Sequence, residues 1–266
     1  MPQSLLAGEL ALIKRTSLVA LIAISTLLMS ACGGGGGDSP AATNSSSKAE
    51  GVYEGTLSGS SSSVFQLLVL ENDEYWGLYG SQVGNTFGVR GFIQGQGTSN
   101  NGSFTSANAK DFGTVPPTSG TITASYVANA SLNGSVASSA GSATFSGTPI
   151  APTNYNYNVA AAVGEIVGNW TLGALDGSTV TLSVAAGGSF TANSAGCAIT
   201  GTFTPRASGK NVFDVALTFG GAPCALPGTA GAGVALTYPT AVDTHQLIVA
   251  GVNPARTAGT ALFGTR

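Results

Sequence analysis

From Gly51 onward the chain alternates apolar and polar residues in short runs broken by glycine, asparagine and proline. A side-chain period of two is that of an antiparallel strand with one buried face. Phe213, Val215, Leu217 and Phe219 interleave with Asp214, Ala216 and Thr218, so one face of that segment is strongly apolar. In the first half the same pattern predicts strands at Val52 to Leu57, Val64 to Leu70, Tyr75 to Gly80, Thr86 to Gln94, Gly102 to Ala107, Gly120 to Val127, Ala130 to Ala137 and Ser142 to Ser146. The links are short, and Glu-Asn-Asp-Glu between Leu70 and Tyr75 reads as a hairpin loop. About eight strands in roughly 95 residues point to a small barrel or a sandwich. Closure would also protect strand edges that carry little charge, since only 8% of residues are charged.

One shift aligns the two halves. Gly51-Val52-Tyr53 opens the first and Gly168-Asn169-Trp170 the second, with Tyr53 and Trp170 117 positions apart. Gly147-Thr148 and Gly264-Thr265, which follow the closing segments, are also 117 apart. The expected fold is therefore all-β, with two tandem small antiparallel barrels or sandwiches at 50–152 and 164–266. Thr153 to Val163, preceded by Pro149 and Pro152 and rich in polar residues, suits a connector, although its tyrosines and valine also suit an extra edge strand.

The amino-terminal segment has a different character. Lys14-Arg15 precede an uncharged apolar stretch from Leu18 to Met29, too short for the roughly 20 residues a spanning helix needs. Its length and the small residues that follow predict a secretory signal over 1–31. Leu28-Met29-Ser30-Ala31-Cys32 resembles the lipobox of bacterial lipoproteins, with Met29 where the family usually has leucine. That resemblance implies diacylglycerol on Cys32 and cleavage in front of it. Gly33, in place of aspartate, implies delivery to the outer membrane of a bacterial envelope. Residues 32–49, from the run of five glycines through Asp-Ser-Pro to Ala49, are too poor in apolar groups to repay the entropy of ordering. They predict a flexible tether with a root-mean-square reach of roughly 20 to 25 Å.

Charge and cysteine usage narrow the function. Beyond the leader, Lys14, Arg15 and Glu9 drop out, leaving seven basic and eleven acidic residues. That balance argues against nucleic acid as a partner, which demands a basic face. Cys197 and Cys224, in turn-rich surroundings, are expected to pair in an oxidising compartment. There is no C-x-x-C and a single histidine, His245, so neither metal nor cofactor is expected. His245 with Asp243 suggests a hydrolytic arrangement on paper, but a nucleophile elbow would need G-x-S-x-G, which is missing. Glu71, Asp73 and Glu74 crowd one hairpin tip, where solvated acids are expected rather than a glycosidase pair. Tyr75, Trp76 and Tyr79 beside them are candidate anchors for a partner. The glycine-rich stretches at 91–102 and 228–236 miss the dinucleotide register and open no helix.

Gly168-Asn169-Trp170 also resembles the G-x-W opening of lipocalin-type barrels, and Gly51-Val52-Tyr53 echoes it. The resemblance implies an antiparallel barrel with the aromatic plugging its closed end. The family's Thr-Asp-Tyr turn and its helix after the barrel have no match here. The expected protein is a non-catalytic envelope lipoprotein that uses barrel loops or a cavity to bind a protein, glycan or small apolar ligand. The alternative is an envelope hydrolase, or a hydrolase inhibitor, built on His245 and Asp243 or on the loop acids.

Overall fold

The computed structural model describes residues 47–83, 86–139, 141–241 and 244–266. Cys32, the leader and most of the tether lie outside these residues. The described body falls in one compact unit, Ser45–Arg266, and is all-β apart from a single 3-10 turn, Val163–Glu165.

The first ring is built from β1 (Gly51–Ser58), β2 (Val64–Val69), β3 (Glu74–Val83), β4 (Thr86–Gln96), β6 (Ser103–Asp111), β7 (Thr118–Val127), β8 (Ser131–Ser138) and β9 (Gly141–Pro149). Each strand pairs antiparallel with the next, β1 pairs with β9, and β4 meets β6 through Ile93–Asp111 and Gln94–Lys110, which closes an eight-stranded barrel. A short β5 (Thr98–Asn100) continues beyond β4 after Gly97 and pairs with the start of β6. It was not expected, because Thr-Ser-Asn-Asn-Gly carries turn residues and no apolar alternation.

The second ring repeats the up-and-down order with β10 (Gly168–Ala174), β11 (Thr179–Val184), β12 (Ser189–Ser194), β13 (Cys197–Pro205), β14 (Phe213–Phe219), β15 (Ala230–Ala241), β16 (Thr244–Val252) and β17 (Gly259–Thr265), closed by β10 against β17. Both rings are thus closed barrels rather than sandwiches. Each opens on a glycine with positive φ, 146° at Gly51 and 112° at Gly168, a conformation that side chains rarely adopt.

Three apolar clusters follow from the strand period. In β11, Val180, Leu182 and Val184 turn into the second barrel while Thr179, Thr181 and Ser183 face out. The interior of the first barrel gathers Tyr53, Phe65, Leu67, Val69, Phe104 and Leu132. A third cluster lies between the barrels, where Val52, Leu68, Trp76 and Leu78 meet Val234, Ile248, Ala250 and Ala261. This explains the near-continuous apolar runs of β2 and β16, which are covered on both faces.

The connector completes that third cluster. Tyr155 and Tyr157 are 5% and 7% exposed within it, so the segment forms no edge strand but wedges its aromatic rings between the barrels. Asn211 N–H donates to the Tyr157 carbonyl at 3.0 Å. Arg256 donates to the carbonyls of Gln94 and Asn108 at 2.6 and 2.8 Å. Each large buried apolar side chain contributes about 1.5–3 kcal/mol, against about 0–1 kcal/mol for an exposed ion pair. Apolar burial therefore dominates the joint.

Candidate functional site

The first barrel contains a cavity of about 460 Å³ at the end where β1 finishes and β9 begins. Its walls are Phe65, Leu67, Ile93, Ile122, Val136 and Phe145, and its mouth carries Ser60, Ser61, Ser62, Ser138 and Ser142. Phe65 and Phe145 meet edge to face with centroids 5.6 Å apart. One polar pair interrupts the apolar wall: the Tyr79 hydroxyl donates to Asp111 Oδ1 at 2.5 Å, and Gly113 N–H donates to the same oxygen at 2.8 Å. Burial, then the hydrogen bond and charge of Asp111, push the Tyr79 phenol well above its ordinary range.

Local sequence explains how these tyrosines reach across the sheet. Tyr75 and Tyr79 on β3 lie over Gly95 and Gly91 of β4; a Cβ would come within 2.2 Å of the Tyr75 oxygen and 2.3 Å of the Tyr79 oxygen. Glycine at those positions lets Tyr75 hydrogen-bond Ser106 Oγ at 2.9 Å and lets Tyr79 reach Asp111. Burial raises the Tyr75 phenol to about 12. Tyr75 is 0% exposed and Trp76 6% exposed, so neither is a surface anchor. That expectation is corrected: β3 is covered on both faces, with Tyr75 inside the barrel and Trp76 in the joint with the second barrel. Tyr79 faces the cavity.

The opposite end of each barrel is closed by an aromatic. Tyr53 is 0% exposed and donates to the Ala49 carbonyl at 3.1 Å, four residues back. Trp170 is 2% exposed and donates through Nε1 to the Ile166 carbonyl at 2.8 Å, also four residues back. Burial first, then Glu50, raises the Tyr53 phenol to about 12. Tyr126 adds a bond to the Ser47 carbonyl at 2.5 Å, so the last residues before β1 form the floor of the first barrel. In the second barrel, the Arg266 guanidinium sits 4.3 Å from the Trp170 ring centroid.

The hairpin acids do not form a solvated cluster, which is a second correction. Asp73, only 7% exposed, accepts from Lys48 at 3.1 Å and Ser99 at 2.7 Å. Glu71 takes Arg206 from the β13–β14 loop at 2.9 Å, and Arg206 also pairs with Asp214 at 2.5 Å. Glu74 accepts from Trp76 Nε1 at 3.0 Å and Gln94 at 3.2 Å. Sequence proximity concealed that the residues before β1, β5 and the second barrel all fold over this tip. Burial pushes the Glu71 carboxyl up, but its own backbone N–H, then Arg206, outweigh that and leave it below the ordinary range.

Cys197 and Cys224 form the expected disulfide, with Cα atoms 4.5 Å apart. It ties the start of β13 to the β14–β15 loop, at the end of the second barrel opposite Trp170. His245 lies in β16, its backbone N–H donating to the Arg266 carbonyl at 2.8 Å; Asp243 lies outside the described residues. Among the described residues no three His, Cys, Asp or Glu side chains gather as metal ligands. A second hollow, about 370 Å³, runs between the barrels and is lined by Val52, Leu68, Trp76, Val234 and Ile248, the residues that hold them together.

Sequence reasoning did not single out Asp111. The available signal was the pair of glycines four apart on one strand facing tyrosines four apart on the preceding one, which marks aromatic rings laid across a sheet.

No protein-family model and no curated relative matches the chain. Among solved structures it is similar to the crystal structure of a protein of unknown function from the DUF3598 family of Nostoc punctiforme. The two are 15% identical, the alignment covers 81% of this chain and 94% of that one, and the TM-score is 0.24.

Proposed function

We propose that the protein is a non-catalytic, lipid-anchored component of a bacterial envelope whose first barrel holds a small apolar ligand. The carrying observation is the cavity of about 460 Å³, apolar in its walls and hydroxyl-lined at its mouth, which falls in the usual range for small-molecule pockets. An aromatic-floored, eight-stranded antiparallel barrel with such a cavity resembles the lipocalin type, in which ligands enter at the end away from the plug. The second barrel, its interior occupied by Phe190, Phe203, Phe213 and Trp170, acts as a packed support. The Leu28-to-Cys32 motif and the glycine tether support attachment through Cys32 to the outer membrane.

A solvatochromic naphthalene dye titrated into the full chain tests the ligand reading. It should brighten on saturable binding, and Val136→Trp, which places an indole in the cavity, should abolish the signal without lowering the melting temperature by more than a few degrees. Undiminished binding by Val136→Trp would overturn the assignment to this lumen. Intact-mass measurement of membrane-purified protein tests the anchor: an unacylated amino terminus would refute it.

A further inference from the structure

We propose that Asp111 makes the first barrel selective for amphiphilic cations: molecules with an apolar chain or ring system carrying a protonated amine, and not fatty acids. The inference rests on the lumen reading above and adds the chemistry of the ligand's head.

The carboxylate is built into the wall rather than displayed on a loop. Asp111 is the last residue of β6, at the seam where Ile93 pairs with it to close the ring. Both hydrogen bonds it receives, from Tyr79 at 2.5 Å and Gly113 at 2.8 Å, fall on Oδ1. Among the described residues Oδ2 has no protein donor, and no Lys, Arg or His nitrogen lies within the 4.0 Å of an ion pair with Asp111. The neighbouring Lys110 directs its ammonium to Ser119 Oγ at 2.9 Å instead. A carboxylate beside a low-dielectric cavity with one oxygen unspent favours a charge-assisted donor. The other polar groups at the mouth are neutral serine hydroxyls, which do not distinguish a cation from an anion.

Size fits the same class. At about 460 Å³ the cavity lies in the range of small-molecule pockets, so a medium-length alkyl chain or a fused ring pair fits in the hollow that Asp111 helps to line. A fatty acid would bring its carboxylate against that of Asp111, and like charges so placed repel. A neutral alcohol could still donate one hydrogen bond, without the charge. Cation selectivity therefore depends on Asp111, whereas occupancy depends on the apolar wall.

The test is calorimetric titration of the full chain in lipid nanodiscs with decylamine, decanol and decanoate, subtracting titrations of empty nanodiscs. Decylamine should bind about ten- to a hundredfold more tightly than decanol, and decanoate most weakly. Asp111→Asn should reduce decylamine to the affinity of decanol while leaving decanol within about twofold, and Val136→Trp should abolish binding of all three. The ranking in the unmodified chain needs no variant, so misfolding of Asp111→Asn would not rescue the proposal. Equal binding of decylamine and decanol, or decanoate binding as well as decylamine, would overturn cation selectivity and leave the lumen reading intact. Failure of all three to bind would overturn both. An amine preference that survives Val136→Trp would place the cation elsewhere and also defeat the proposal.

Discussion

The two barrels share a strand order and a plugged end, yet they differ at the other end. Tyr53 and Trp170 occupy equivalent places, each buried and each bonded to the carbonyl four residues before it. Opposite Tyr53, serines and the Tyr79–Asp111 pair frame a hollow. Opposite Trp170, the Cys197–Cys224 disulfide clamps the β14–β15 loop to the start of β13. One topology thus carries two different mouths: both barrels close one end with a buried aromatic, while the other end is hollow in the first and clamped by a disulfide in the second.

The largest effects should come from the shared ends. Trp170→Ala should cost about 3–5 kcal/mol, and Tyr53→Ala a similar amount, measured by denaturant unfolding. If either change were nearly neutral, the plugs would not be the common structural element. Breaking the clamp comes next. Replacing Cys197 and Cys224 together with serine reopens a loop of 27 residues and should cost about 3.5 kcal/mol in the chain-entropy model, with dye binding in the first barrel retained. Loss of binding in that double variant would show that the mouths are coupled.

Two substitutions on corresponding strands, at different register positions, sharpen the contrast. β8 and β16 are equivalent strands, with Leu132 opposite Gly147 in one barrel and Leu247 opposite Gly264 in the other. Tryptophan at Val136 enters the hollow, whereas tryptophan at Val249, 7% exposed inside the second barrel, overpacks it and should cost about 1–3 kcal/mol. Equal stability loss at both sites would erase the distinction between hollow and packed interiors.

The smallest effect belongs to the joint. Glu71 has a folded-state pKa held below its ordinary value of 4.5, so its contribution is full above about pH 4.5 and is lost as pH falls through the lower folded value. Arg206→Ala should lower stability by about 1 kcal/mol near neutrality, because both partners are partly exposed, and the difference from the unmodified chain should shrink below about pH 4.5. A difference that grew on acidification would contradict the assignment.

Much of this architecture was legible in the chain. The eight strands expected in the first half all form, because alternation such as that in β11 directly encodes an inside and an outside. The 117-residue shift marks the equivalent first and last strands, but it fails between them because the intervening hairpins differ in length. Closure was harder to read. The β4–β6 seam rests on two residue pairs without local signature, and the contact that places Asp111 beside Tyr79 crosses that seam. For the same reason Tyr75 and Trp76 suggest a surface anchor in the sequence, although on a strand covered on both sides they point into two different cores. Long-range pairing, rather than local propensity, created the candidate site.

Xenon pressurisation of crystals of the full chain reads the hollow itself, since xenon enters apolar cavities. Anomalous density is expected in the first barrel, among Phe65, Leu67 and Ile93, where the cavity lies. Xenon in the second barrel with none in the first would contradict it.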